Sequence, residues 1–317
     1  MNVSKTTIDW LRFRAKEEPP VILRALRPMF GDLANFLKLD TGEKGILGFK
    51  QAARVMLLDM PIGRMDYGGD SQRDWVRVDL SGKACEWVRD WDAVESVEEL
   101  PNAQLRRLDI ALTTWHGEVT HDMVVAAHAA GKFNSTKGGC VTPELRQITS
   151  SNERAGRTCY IGSRTSQKFL RAYEKGFQMV ANSVMPEGMK QAVTVINQSR
   201  IEDIYRVEME CKATKVFRLP WEMIRRRDEY FAGGYQFNAE LLPDVQPDIL
   251  QRDPKLEPKR ELEAMLAAAQ HQWGKLFYTA HVAYKGDISR VWDKIVGKEH
   301  HPGLVEAGVL MVEHDDA

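Results

Sequence analysis

Three short segments of this 317-residue chain carry the residue types that metal-assisted phosphoryl transfer needs. In Arg107-Leu-Asp-Ile-Ala-Leu112 an extended backbone puts Leu108, Ile110 and Leu112 on one side and Arg107, Asp109 and Ala111 on the other. Between Tyr205 and Lys212 the apolar set is Val207, Met209 and Cys211, which leaves Arg206, Glu208, Glu210 and Lys212 opposite. In Phe169-Leu-Arg-Ala-Tyr-Glu-Lys175, Arg171, Tyr173 and Lys175 alternate with Leu170 and Ala172. Asp109, Glu208 and Glu210 offer the hard oxygens that suit Mg²⁺ or Mn²⁺, and Arg107, Arg171, Lys175 and Arg206 offer cations for phosphate. Tyr173 stands among them as a hydroxyl nucleophile. With an ordinary pKa of about 10, roughly one phenol in a thousand is ionised at neutral pH, so such a site must favour the anion. Arg171 and Lys175, two residues either side of Tyr173, are placed to do so and to neutralise charge on a phosphorane. A solvent-facing sheet gives the same alternation in any one strand; it is the combination that points to chemistry.

These segments need a sheet to hold them. Ile8 to Arg14 reads as a strand, and Val21 to Leu39 as a helix that Pro28 breaks or kinks. Gly48 to Leu58 and Arg73 to Leu80 read as strands of a hairpin about a turn-rich Pro61 to Gly69. Lys83 to Asp92 spaces Ala84, Trp87, Val88 and Trp91 as a core-facing helix, and Thr120 is placed to cap a helix over His121 to Ala130 that Gly131 ends. Cys140 to Gly156 reads as a polar loop or irregular strand, followed by a strand from Thr158 to a Gly162-Ser163 turn. Strands and helices alternate without regular βαβ spacing, so the expected class is α+β, a mainly antiparallel central sheet with flanking helices and a C-terminal helical region. Trp221 to Phe231 reads as a helix, Leu242 to Pro258 as a proline-studded linker and Lys259 to Tyr284 as a long amphipathic helix, which places a boundary near Lys215 between a catalytic domain (1–215) and a helical region (216–317).

Composition limits the partners. With Lys+Arg 44 against Asp+Glu 45 the formal net charge is -1, so bulk charge does not draw the chain to a polyanion and a local site must. Charge is uneven, however: residues 70–100 hold 9 acidic and 4 basic side chains, whereas residues 101–175 hold 11 basic and 6 acidic. Cys85, Cys140, Cys159 and Cys211 form no CxxC pair, which argues against a zinc ribbon or disulfide framework and fits a reducing compartment. No stretch approaches the ~18–20 apolar residues of a membrane helix, so the expectation is a cytoplasmic protein without a membrane partner. Ser163-Arg-Thr-Ser166 reads as a turn that contacts phosphate or as a plain ST-turn, and Arg225-Arg-Arg227 as solvated surface.

Ile8-Asp-Trp-Leu11, Leu105-Arg-Arg-Leu-Asp-Ile-Ala111, Gly156-Arg-Thr-Cys-Tyr-Ile-Gly-Ser163, Phe169-Leu-Arg-Ala-Tyr-Glu-Lys-Gly176 and Tyr205-Arg-Val-Glu-Met-Glu210, in this order, resemble the replication initiation factor family (Rep_trans). That family includes rolling-circle initiators of small plasmids, replication proteins of filamentous phages and relaxases of some conjugative transposons. The resemblance implies a nickase that cuts one strand at an origin, stays joined to the 5′-phosphate through tyrosine and leaves a 3′-OH to prime synthesis. On this chain it makes Tyr173 the nucleophile and offers Asp109, Glu208 and Glu210 to Mg²⁺ or Mn²⁺. Arg107, Arg206, Ser163, Arg164 and Ser166 become DNA contacts. It further implies origin DNA, a host helicase and polymerase, and a possible second protomer as partners. The His-hydrophobic-His pair of the better-known rolling-circle enzymes is missing, so a metal would rest on carboxylates. Tyr160 is the rival nucleophile, although its neighbours read as a buried strand. The alternatives are a relaxase with the same chemistry and a non-catalytic nucleic-acid platform.

Overall fold

The computed structural model describes residues 4–72, 74–134, 142–214, 217–251 and 262–300; Cys140, Lys215 and the boundary expected there lie outside them. The strands are β1 (Thr7–Ala15), β2 (Leu37–Lys44), β3 (Gln51–Leu57), β4 (Met60–Tyr67), β5 (Val76–Leu80), β6 (Gln104–Thr114), β7 (Leu145–Ile148), β8 (Thr158–Ile161), β9 (Lys168–Glu174), β10 (Val195–Ile196), β11 (Ser199–Arg200) and β12 (Tyr205–Lys212). The helices are α1 (Pro19–Leu26), α2 (Gly82–Trp87), α3 (Glu95–Glu98), α4 (His121–Ala129), α5 (Lys175–Ala181), α6 (Glu187–Lys190), α7 (Glu222–Arg225), α8 (Arg227–Ala232), α9 (Gln236–Leu241), α10 (Leu262–Ala283) and α11 (Ile288–Ile295). Ten strands form one antiparallel sheet in the order β2-β3-β4-β5-β1-β6-β12-β9-β8-β7, the α+β architecture expected.

Alternation gives this sheet two different faces. Leu11 and Phe13, Val78 and Leu80, Leu108 and Ile110, Val207 and Met209, Leu170 and Ala172 are buried in one apolar core. Ile22 and Leu26 of α1, Val124 of α4, and Met223, Ile224, Tyr230 and Phe231 of α7 and α8 join that core, with Phe13 edge-on to Trp221 at 5.8 Å. Each of these side chains contributes about 1.5–3 kcal/mol by leaving water. Thr120 caps α4 as expected, its hydroxyl accepting from the Met123 amide, and Gly131 follows the helix at φ 75°.

The other face carries an ion-pair ladder across its first half. Glu43 meets Arg54 at 2.5 Å and Arg64 at 2.8 Å, Asp66 takes Arg64 at 2.8 Å and Arg77 at 2.9 Å, and Asp79 takes Arg77 and, at 2.6 Å, Arg12. Cross-strand neighbours of opposite sign thus neutralise one another on this half of the sheet.

Several local expectations are corrected. The helix expected through Leu39 breaks beside Pro28 as expected, α-helical to Leu26 and then a 3-10 stretch over Arg27–Phe36 that bends at Gly31 (φ 53°), but Leu37 to Leu39 pair with β3. Residues 61–67 are a strand and not a turn, because the reversal falls at Leu58 and Asp59, both at positive φ. Gly63 is there for close approach, since a Cβ would lie 2.5 Å from the Asp79 carbonyl oxygen. The helix expected over Lys83 to Asp92 stops at Trp87, where Val88 turns extended, and the one expected over Trp221 to Phe231 breaks at Arg226 (φ -107°, ψ 38°). Two compact units result, 1–253 and 254–317. In the first unit Trp221, Met223, Phe231 and Phe237 are core residues of the sheet. The second unit contains α10 and α11, and no helix among the described residues is long and apolar enough to cross a membrane.

Candidate functional site

The neighbouring strands β1, β6, β12 and β9 bring the predicted side chains onto the polar face. Register sets Asp109 opposite Trp10 on one side and Glu210 on the other, Glu208 opposite Arg171, and Arg206 opposite Tyr173. The face is not uniformly solvated: Asp109, Glu208, Glu210 and Tyr173 are buried, and the cations lie half-buried over them.

The carboxylates are already divided among cations. Arg107 donates to Asp109 through Nε at 2.7 Å and Nη2 at 2.5 Å, and the same Nη2 lies 2.9 Å from Glu210. Lys212 also pairs with Glu210, Arg171 pairs with Glu208, and the Arg107 guanidinium carbon sits 4.8 Å over the Trp10 ring. Arg206 is held by Thr113 at 2.8 Å and by Asp9 at 2.7 Å.

Burial pushes Asp109 up to about 7; Arg107 opposes this, and the charges of Glu208 and Glu210 add to it. A carboxyl with a raised folded pKa binds protons more tightly when native, so it withdraws stability as pH climbs from about 4 towards 7. Asp109→Asn is expected to remove this loss. Its melting temperature relative to wild type, followed in EDTA by circular dichroism, should rise across that window; a difference that stays flat with pH would mean that Asp109 does not take up a proton on folding.

Among the described residues, no three His, Cys, Asp or Glu side chains converge at metal-ligand spacing. Asp109 and Glu210 are instead drawn to Arg107. Their chemistry does fit a hard divalent cation, since they are buried, directly opposed carboxylates and one of them is driven towards protonation by burial, with its neighbours' charges adding to it.

The Tyr173 hydroxyl donates to Glu208 Oε2 at 3.4 Å. Burial raises its pKa, the Glu208 charge raises it further, and the nearby Arg206 and Arg171 do not compensate. The expectation of a phenolate held ready by Arg171 and Lys175 is therefore replaced by a neutral phenol facing a carboxylate acceptor. Lys175 is not on the strand: β9 ends at Glu174, and Lys175 opens α5. Gly176 forces that bend, because a Cβ there would lie 2.1 Å from the Ile201 carbonyl oxygen. The Lys175 ammonium still reaches back to 5.7 Å from the Tyr173 ring centroid, and donates to Gln178 at 2.7 Å.

Tyr160 is half-exposed on this same face and not buried, opposite Arg171 and stacked on Phe169 at 5.7 Å. Arg164 lies over both rings, whereas the Ser163 hydroxyl bonds Thr165 at 2.8 Å within an exposed turn that also holds Ser166. Arg225, Arg226 and Arg227 are tied to Glu98, to Glu229 and Asp248, and to the Thr6 carbonyl. Asp9, the Arg206 partner, escaped alternation because the β1–β6 pairing shifts between Ile8 and Trp10. Its only sequence signal is its place in Ile8-Asp-Trp-Leu11.

No curated protein matches the chain. Its fold is similar to that of a solved rolling-circle replication initiator protein from Geobacillus stearothermophilus, with a TM-score of 0.51 and 16% identity over 78% of this chain and 99% of that one. The sequence model described as replication initiation factor matches residues 103–280, more than half of the chain, a span that takes in β6, β8, β9 and β12 with Asp109, Tyr173, Glu208 and Glu210. The chain belongs to the replication initiation factor family.

Proposed function

We propose that this protein is a rolling-circle replication initiator, an origin-specific DNA nickase and strand transferase that works through a 5′-phosphotyrosine at Tyr173. The observation that carries the reading is the Tyr173 hydroxyl on Glu208, with Arg171 and Arg206 on the flanking positions of the same face. Tyr173 Oη attacks the scissile phosphorus, its proton passes to Glu208, and the P–O3′ bond breaks. The leaving oxygen takes up a proton from water and becomes the 3′-OH that a host polymerase extends behind a host helicase. Arg171, Arg206 and Lys175 balance charge on the phosphoryl oxygens. Asp109 and Glu210 would hold Mg²⁺ or Mn²⁺, which supplies Lewis-acid polarisation of a non-bridging oxygen. Because a phosphotyrosine ester keeps the energy of the broken bond, the same residues run the closing step in reverse. One tyrosine per site makes a second protomer or a water-mediated step necessary for the second transfer; α10, which leaves Leu266, Trp273, Leu276 and Tyr278 exposed, is the surface we assign to a second protomer.

The test is incubation with a labelled single-stranded origin oligonucleotide and Mg²⁺ or Mn²⁺. A denaturant-stable protein–DNA adduct and a new 3′-OH, both lost in EDTA, are expected. Binding without any adduct in either metal would leave a non-catalytic DNA-binding protein and overturn the proposal.

A further inference from the structure

The ion-pair ladder does not extend over the whole polar face. At the Gln104 end of β6 it gives way to cations without carboxylate partners. The β1–β6 register slips between Arg12 and Phe13, so that Arg12 faces Arg107, Phe13 faces Leu105, and Arg106 is the extra residue of a bulge. Arg14 gives both its Nε and Nη2 hydrogen bonds to one neutral acceptor, Gln104 Oε1, at 3.0 and 2.8 Å. Its guanidinium lies 4.0 Å over the Trp75 ring, and the Lys16 ammonium lies 5.5 Å from that ring. Among the described residues, no ion pair joins Arg14, Lys16 or Arg106 to a carboxylate. The strain is electrostatic: burial lowers the Arg106 pKa, and the charges of Arg14 and Arg12 lower it further. Burial lowers that of Arg14 as well. The half-buried like charges of Arg14 and Arg106, with the exposed Lys16 beside them, are stabilised by an anion, and the tryptophan that fixes one guanidinium pre-orients it.

We propose that Arg14, Lys16, Arg106 and Trp75 form a second nucleic-acid subsite, which takes the phosphodiester backbone of duplex DNA flanking the nick. The duplex assignment rests on the nickase reading above. Thr113 on β6 marks the level of Tyr173, because Arg206 pairs with both. Seven residues separate Thr113 from Arg106, about 23 Å at ~3.3 Å per residue. At ~3.4 Å per base along one strand of a duplex, the subsite falls about seven nucleotides from the cut. In the neighbouring ladder from Glu43 to Asp79 every arginine has a carboxylate partner, so the backbone is held at the bulge and not on the β2–β5 half.

The experiment measures binding of a fluorescein-labelled 20-base-pair duplex of arbitrary sequence in EDTA, by anisotropy, as a function of salt. Each neutralised phosphate contributes about 0.9 to the slope of log K against log salt. The double variant Arg14→Ala/Arg106→Ala is expected to lower that slope by about two. Arg14→Lys/Arg106→Lys should restore it, and Arg54→Ala, which removes a cation of the ion-paired ladder, should leave it unchanged. A double variant that melts like wild type and keeps the wild-type slope overturns the subsite; so does an equal loss with Arg54→Ala, which would mean a general charge effect. Adduct formation is measured separately on a nick-site oligonucleotide too short to reach the bulge, where wild type and double variant should react alike. Absence of adduct from both sinks the nickase reading and leaves the slope result to decide the subsite by itself.

Discussion

Tyr173→Phe is expected to abolish the covalent protein–DNA adduct and to lower strand cleavage by about four orders of magnitude or more, because it removes the proposed nucleophile and keeps the ring. The ring stays in its place on β9, and only the 3.4 Å hydrogen bond to Glu208 disappears, which carries at most about 1 kcal/mol of stability. The variant should therefore fold and bind DNA as wild type does. Tyr160→Phe is the matched control. Tyr160 shares the face but is stacked on Phe169 beneath Arg164, with no carboxylate hydrogen bond to its hydroxyl among the described residues, so its loss should leave adduct formation intact. Full activity in Tyr173→Phe, measured by denaturing gel, would remove Tyr173 from the mechanism.

Glu208→Gln has the second-largest expected effect. Glu208 is 1% exposed and serves two partners, accepting from the Tyr173 hydroxyl and neutralising Arg171. As glutamine it keeps the shape but loses the proton acceptor, and cleavage at neutral pH should fall by about 10²- to 10⁴-fold. The residual rate should climb with pH, since burial raises the Tyr173 phenol and only hydroxide then removes its proton. Glu208→Gln also takes the counter-charge from Arg171, whose side chain is one third exposed so that solvent offsets part of the loss, at a cost of about 1–2 kcal/mol, visible in urea denaturation. Cleavage that falls without any change in its pH profile would assign Glu208 to structure and deny it the role of proton acceptor.

How much of this was legible in the residues differs from element to element. Alternation alone placed Asp109, Glu208, Glu210, Arg171, Tyr173 and Arg206 on one side, because β6, β9 and β12 are regular strands with an apolar opposite face. It failed wherever regularity failed. Lys175 left the strand because Gly176 must pass against Ile201, a contact between segments that no local pattern contains. Asp9 and Arg106 were missed because each lies at a register shift, which exists only between two strands. Residues 61–69 looked like a turn because Pro61, Gly63, Gly68 and Gly69 cluster there, yet Gly63 answers to the carbonyl of Asp79 on β5. The phenol's environment could not be read either: two cations flank it in sequence, but burial and Glu208 decide its ionisation.

The charge balance takes on a spatial meaning in the fold. The net charge of -1 conceals a contrast between the ion-paired ladder on β2 to β5 and the cations at the β1–β6 bulge, which have no ion pair among the described residues. Affinity for random DNA should accordingly be weak at physiological salt and depend on few phosphates, with specificity coming from the origin.

The central claim is tested most directly by locating the covalent bond. Wild-type protein is allowed to cleave single-stranded origin oligonucleotide with Mn²⁺, the adduct is digested with protease and nuclease, and the nucleotide-bearing peptide is sequenced by mass spectrometry. The modification is predicted on Tyr173, as a 5′-phosphate ester. A nucleotide on Tyr160 or on any other residue, or cleavage that proceeds with no covalent peptide, would contradict it.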